Sequence, residues 1–140
     1  MTELILVAGV GLLLVLVFLV PTIATSQRRA KKSSIDKQFV SSEWDKIEAM
    51  ATKPDGMARY AVIEADKLLD YALKQRGYPG ETMGERLKSA GNDFSYIDDV
   101  WQAHKMRNKL VHESEYQADQ RLVKRALSQF KTALKDMGAF

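Results

Sequence analysis

The pattern of apolar and polar residues divides the chain into two regions. Residues 4–20 form an unbroken run of Leu, Ile, Val, Ala, Gly and Phe, and no charged residue occurs between positions 4 and 27. From about residue 33 onward, apolar residues recur every three or four positions among charged ones, which is the spacing of amphipathic helices. The pattern therefore predicts a transmembrane anchor at 1–27, a basic linker at 28–34 and a helical domain at 35–140.

The first region has the length and the flanking charges of a membrane span. At 1.5 Å per residue, a helix over this region exceeds the roughly 30 Å hydrocarbon core of a bilayer. Four basic residues follow the run within positions 28–32, whereas Glu3 is the only charge before it. Positive residues stay on the cytoplasmic side, and a cleaved secretory signal would need basic residues before the apolar run. We therefore expect a single-pass membrane protein with its amino terminus outside, lipid contacts over residues 4–25 and a cytoplasmic helical domain.

The second region has the spacing of an all-α domain and no alternating pattern typical of a strand. Four long helices and one short helix are predicted, over about 34–52, 57–76, 82–91, 94–112 and 114–137. Because connections of only a few residues join these helices, we expect an antiparallel bundle. About 105 residues are enough for one hydrophobic core.

Capping residues mark the predicted helix starts. A serine at position 33 or 34 suits the first helix. Thr82 with Glu85 makes a capping box for the short helix, and Ser114 with Gln117 makes a second one for the last helix. The buried face of the first helix is expected to contain Ile35, Phe39, Ile47 and Met50.

Composition narrows the chemistry. The chain has 140 residues, a formal net charge of +3 and no cysteine. It therefore has no disulfide, no thiolate nucleophile and no cysteine-ligated zinc site. The charge is too small to indicate a nucleic-acid binder by itself. The only two histidines, His104 and His112, lie roughly 12 Å apart on one predicted helix, so they cannot share a metal by themselves.

The most informative local pattern is a polar stripe on the fourth helix. His104, Asn108 and His112 drift only about 40° around the helix at each step. The same helix carries four residues expected in the core, namely Ile97, Val100, Trp101 and Val111. Such a stripe is either a buried polar network or a site, and the residue types favour a site.

Arg107-Asn108-x-x-x-His112 resembles the signature of the HEPN superfamily, in which an arginine is followed by a polar residue and, after a short spacer, a histidine. The resemblance covers about residues 35–138, and the number and order of predicted helices agree with it. The segment 61–113 is also similar to uncharacterised single-span proteins of bacteria with small genomes, a similarity that implies no substrate.

This resemblance implies a metal-independent RNase that needs no cofactor. It implies that Arg107 holds the scissile phosphate, that His112 moves the proton, and that Asn108 orients the histidine or the local backbone. Histidine titrates near neutral pH and arginine binds phosphate oxygens with a planar fork, which suits both roles. Arg107 and His112 diverge by about 140° around the helix, so we expect a symmetric dimer through the helix 94–112 to assemble the site.

Each of these residues also has a purely structural interpretation. His112 would cap the end of its helix, Arg107 would pair with Glu113 or Glu115, Asn108 would bond backbone and His104 would be a satisfied interior histidine. Weaker binding candidates are His104, Lys105 and Lys109. In the second predicted helix, Glu64 and Asp66 are interpreted as salt-bridge partners rather than an acid–base pair.

Two classes of function therefore stay open. The first is a HEPN-like RNase with RNA as its partner. The second is a non-catalytic helical module that binds a protein partner or dimerises. A third interpretation, the toxin of a toxin–antitoxin pair, fits less well because a permanent membrane anchor is unusual there.

Overall fold

The computed structural model describes residues 34–53 and 56–140, and five α-helices account for most of them. The helices are α1 (Lys37–Ala51), α2 (Ala58–Gln75), α3 (Met83–Ser89), α4 (Ile97–His112) and α5 (Gln120–Asp136). A 3-10 turn, Gly91–Asp93, connects α3 with α4. No strand occurs in these two described ranges. The predicted all-α class, with four long helices and one short helix, is confirmed.

Helix α2 is the centre of the fold because it packs against all four other helices. One face of α2 is lined by small and medium apolar side chains that are fully or almost fully buried: Ala61, Val62, Ala65, Leu68, Leu69, Ala72 and Leu73. Three alanines on this face let neighbouring helices approach closely. Helix α5 contributes Phe130, the largest of the fully buried side chains in the described residues, together with Leu134. Removal of this apolar surface from water is the main force that holds α2 inside the domain.

The helix starts depend on capping groups, and two of them differ from the predicted ones. The short helix α3 has the predicted capping box, in which the Thr82 hydroxyl accepts from the Glu85 backbone N–H at 3.2 Å. Helix α1 is capped by Asp36 and not by a serine at 33 or 34. Helix α5 is capped by Asp119, so the predicted box of Ser114 and Gln117 is wrong. In both corrected cases the aspartate side chain accepts one free backbone N–H in the first turn, from Phe39 in α1 and from Leu122 in α5.

The buried faces of α1 and α4 also differ in part from the predicted ones. In α1 the core residues include Trp44, which is 3% exposed, whereas Phe39 is 40% exposed. In α4 the core residues include Leu110, and the neighbouring Val111 is 44% exposed. Polar residues are interspersed among the apolar ones in both helices. The sequence alone therefore did not show which face of each helix is buried.

No helix within the described ranges is long and apolar enough to cross a membrane. The physical reason is visible in α2, the longest of them, because its 18 residues include charged side chains such as Glu64, Lys67 and Lys74. This finding counts against the prediction of a single-pass membrane protein with a cytoplasmic helical domain, and that prediction is withdrawn. The proposed anchor at 1–27, its lipid contacts at 4–25 and most of the linker at 28–34 lie outside the described residues.

Candidate functional site

Four polar side chains from α2 and α4 form a closed ring of contacts, which we call the polar ring. Asp66 comes from α2, and His104, Arg107 and Asn108 come from α4. His104 Nδ1 lies 2.7 Å from Asp66 Oδ1, and His104 Nε2 lies 3.3 Å from Asn108 Nδ2. Arg107 Nη1 donates to Asn108 Oδ1 at 3.0 Å, and Arg107 Nε lies 3.3 Å from Asp66 Oδ2. The ring therefore connects the central helix to the helix that carries the predicted motif.

The donors and acceptors around the ring are compatible with one arrangement of protons. Arg107 only donates, so the side-chain oxygen of Asn108 has to face it. The Asn108 NH₂ group then faces His104 Nε2, which has to accept. His104 Nδ1 consequently carries the proton and donates a hydrogen bond to the Asp66 carboxylate. The polar ring thus fixes the orientation of one amide and the tautomer of one imidazole.

Burial explains why the ring has to be paired so completely. Asp66 is 2% exposed, and the side chains of His104 and Arg107 are 11% and 25% exposed. A carboxylate removed from water in this way is stable only when cations or hydrogen-bond donors compensate for its lost hydration. Arg107 Nε lies close enough to Asp66 Oδ2 for an ion pair, but its N–H makes no hydrogen bond within the described residues. At this atom the attraction between the two charges alone offsets the lost hydration.

Helix α3 lies against the outer side of the ring. A Cβ placed on Gly84 would lie 3.7 Å from the Trp101 ring and 3.9 Å from His104 Nε2. Trp101 in turn packs edge-on against the His104 imidazole, with 5.9 Å between the ring centroids. Both distances are ordinary van der Waals contacts, so this part of α3 packs beside Trp101 and the one imidazole nitrogen that has no proton.

His112 does not belong to the polar ring. It is the last residue of α4 and its side chain is exposed. Within the described part of the chain, this side chain makes no hydrogen bond or ion pair. The structure thus joins Arg107, Asn108 and His104 and leaves His112 apart from them, so a single chain does not bring the motif's arginine and histidine into contact.

The weaker binding candidates point in two directions. His104 faces α2 through the polar ring. Lys105 follows His104 and Lys109 follows Asn108 in the sequence, and both lysines line a groove between α4 and α5. They therefore do not extend the surface formed by Arg107 and Asn108.

Asp66 is the ring member whose partners could not be predicted from its position in the sequence. Its interpretation as a salt-bridge partner agrees in kind with its contact to Arg107, and Glu64 pairs with Lys67 at 2.7 Å. Arg107 pairs with this buried carboxylate and not with Glu113 or Glu115. The available signal was an acidic residue between Ala65 and Leu68 on the apolar face of α2, because a carboxylate at a core position needs a cationic partner.

Comparisons with known proteins give no relative for this chain, since no family model, no curated protein and no solved structure matches it.

Proposed function

We propose that the helical domain is a HEPN-like, metal-independent endoribonuclease that acts as a symmetric dimer through α4. Arg107 binds the scissile phosphate and His112 transfers the proton. The observation that supports this proposal most directly is the polar ring, which holds the Arg107 guanidinium in one position while leaving a quarter of that side chain exposed.

The contacts of Arg107 fit the role of a phosphate ligand. Nη1 and Nε face Asn108 and Asp66, and Nη2 has no contact within the ring. A guanidinium anchored on one side loses little further side-chain entropy when its free edge meets a phosphate oxygen. Asn108 acts as a positioning residue, because it connects the guanidinium to the imidazole of His104.

The exposure of His112 fits the role of an acid–base group. In the proposed reaction, the 2′-hydroxyl oxygen of the RNA attacks the neighbouring phosphorus and His112 accepts the hydroxyl proton. The bond from phosphorus to the 5′-oxygen breaks, and the leaving oxygen takes a proton from water. The products are a 2′,3′-cyclic phosphate and a 5′-hydroxyl end. Arg107 stabilises the negative charge that develops on the phosphate oxygens.

The separation of Arg107 and His112 in one chain is the reason for proposing a dimer. The two residues lie about 140° apart around α4, so one phosphate cannot contact both side chains easily within one chain. A two-fold axis near the carboxyl end of α4 would place Arg107 of one copy beside His112 of the other. Val111, which is 44% exposed next to His112, offers apolar surface to such an interface.

One observation favours a second function, a non-catalytic helical module that binds a protein or dimerises. Both Arg107 and His104 are paired with the buried Asp66, as in a purely structural network. If the ring exists only to join α2 to α4, the exposed His112 has no chemical task.

Cleavage of a mixed RNA pool by the full-length protein in EDTA separates these functions. His112→Ala is the informative variant because it removes an exposed side chain and leaves the polar ring intact. We expect it to lower the cleavage rate by at least about 100-fold, the typical contribution of a general acid or base. Glu113→Ala, next to it in the chain and also exposed, is the matched control and should cleave like the wild type. Equal cleavage by all three proteins, or none by the wild type, would leave the non-catalytic module.

Mixing two inactive variants tests whether the site is shared between chains. Arg107→Lys keeps the charge but not the fork, and His112→Ala lacks the proton carrier. If each site takes its arginine from one chain and its histidine from the other, a mixed dimer has one intact site. Equal mixing should then restore about a quarter of the wild-type rate. No restoration, or only monomer in sedimentation at tens of micromolar, would contradict the dimer.

A further inference from the structure

A groove of about 270 Å³ runs between α4 and α5 on a side of α4 that the polar ring does not use. Its floor is apolar and is formed by Met106, Leu122 and Ala126, with the ring of Tyr116 at one end. Leu122 is 42% exposed, so this floor is open to solvent. The groove is thus large enough for a flat group of the size of a nucleotide and not for a whole helix.

The rim of this groove is basic. Lys105 and Lys109 lie on the α4 side and Arg125 on the α5 side, and no carboxylate lines the groove. None of these three cations forms an ion pair within residues 34–53 and 56–140. Arg125 Nη2 instead donates to Gln102 Oε1 at 3.3 Å, and the Lys109 ammonium lies 5.7 Å from the centroid of the Tyr116 ring.

The surface beside the groove extends the same charge. Arg121, in the first turn of α5 and one turn before Arg125, is exposed, and no carboxylate among the described residues pairs with it. Two carboxylates contact residues of the groove without lining it themselves: Asp99 accepts from Gln129 Nε2 at 3.1 Å, and Asp119 accepts from the Leu122 backbone N–H at 2.8 Å. Several unpaired cations around an apolar floor attract a ligand that combines negative charge with a flat apolar group.

We propose that this groove binds single-stranded RNA, with phosphates on Lys105, Lys109 and Arg125 and one base against Tyr116 and Leu122. The inference rests on the proposed function in that it names RNA as the ligand, and it adds a binding surface separate from Arg107 and His112. Basic grooves with aromatic stacking surfaces bind single strands because every base has a flat face and every linkage carries a charge. An acidic protein segment is the less suitable ligand, because it would leave the tyrosine face and the apolar floor without a planar partner.

Binding is measured by fluorescence anisotropy with a labelled oligouridylate, using full-length protein that carries His112→Ala so that no cleavage interferes. The test variant adds Lys105→Gln, Lys109→Gln and Arg125→Gln. The control adds Lys46→Gln, Lys67→Gln and Lys88→Gln, which remove the same charge from α1, α2 and α3. We expect the test variant to bind more weakly. Its negative slope of log affinity against log salt should become shallower by about 2, the change for three lost phosphate contacts. The control should keep the wild-type slope.

A second variant distinguishes stacking from charge alone. Tyr116→Ala keeps every cation of the groove and should weaken binding by about 10-fold, whereas Tyr116→Phe should bind like the wild type. Equal salt slopes for the test and control variants would overturn the groove as the RNA site, and so would stronger binding of a labelled poly-glutamate than of RNA. Because binding is measured without cleavage, failure here leaves the test of Arg107 and His112 independent.

Discussion

Asp66 Oδ1 and His104 Nδ1 lie 2.7 Å apart, and this contact joins the central helix α2 to α4. The carboxylate is 2% exposed, so it has little access to water that could replace a lost partner. A buried ionised group of this kind makes the packing of two helices depend on a few exact contacts. Its removal should therefore affect the stability of the whole domain.

Asp66→Ala should lower the free energy of unfolding by about 3 kcal/mol, because it leaves the His104 N–H and the Arg107 guanidinium without their buried carboxylate. Urea unfolding followed by circular dichroism measures this loss. Glu64→Ala is the matched control, since Glu64 pairs with Lys67 on the exposed side of the same helix. It should cost about 0.5 kcal/mol or less. Similar losses for both variants would show that the polar ring contributes no special stability.

The second prediction concerns the imidazole of His104. Neutral His104 should carry its proton on Nδ1, because Asp66 accepts there and the Asn108 NH₂ group faces Nε2. Nitrogen-15 NMR of labelled full-length protein distinguishes the two tautomers directly. In Asp66→Asn the new amide can present either an N–H or an oxygen to Nδ1, so the preference should weaken. A proton on Nε2 in the wild-type protein would contradict the arrangement of the ring.

Local periodicity predicted the helices whose apolar pattern is strong. Helix α2 begins and ends within a residue of its predicted bounds, and its apolar face is the buried one. The start of α5 was misplaced because Ser114 and Asp119 both have side chains that cap helices, and only tertiary packing selects Asp119. Phe39 and Val111 are apolar and each lies next to a buried residue of its helix. Their spacing is close to that of the buried face, so the pattern predicted them in the core although both are exposed.

The site was predictable only in part, for a physical reason. Spacing along α4 places His104, Asn108 and His112 on one stripe, but it cannot show which of them meets a neighbouring helix. The partner, Asp66, lies far away in the sequence, and no local pattern connects it to Arg107. The motif therefore indicated α4, which carries three of the four residues of the polar ring, and not the carboxylate that pairs with them.

The third prediction concerns the pH dependence of the ion pair between α2 and α3. Arg86, a buried residue of α3, donates through Nε to Asp70 Oδ1 at 2.7 Å, and Lys74 lies 2.7 Å from Oδ2. Burial by itself raises the pKa of Asp70, but the hydrogen bonds from Arg86 and Lys74 outweigh burial and lower it. A carboxyl group with a lowered folded-state pKa adds stability above its unfolded pKa and loses it as the pH falls through the folded value.

Asp70→Asn should therefore lower the free energy of unfolding by about 2 kcal/mol near neutral pH. The difference from the wild type should decrease below about pH 3.9, the ordinary aspartate pKa, and vanish once the folded wild-type group is protonated. Urea titrations at a series of pH values measure both curves. Glu43→Gln, at the exposed pair with Lys46, should cost about 0.5 kcal/mol or less. An Asp70→Asn difference that stays constant down to pH 2 would exclude a contribution from ionised Asp70.

The last prediction concerns Tyr78, which lies in the connection between α2 and α3. Burial, and then the hydrogen bond from its hydroxyl to the Asp93 carboxylate, raise the pKa of Tyr78 to about 12. The raised value means that the neutral phenol stabilises the fold below about pH 10, the usual tyrosine pKa, and that this contribution is lost as the pH rises through about 12. Ultraviolet titration should show one late-ionising tyrosine that is absent in Tyr78→Phe. In Asp93→Asn the same tyrosine should ionise at lower pH, because the neighbouring negative charge is gone; an unchanged titration would assign the late ionisation to burial alone.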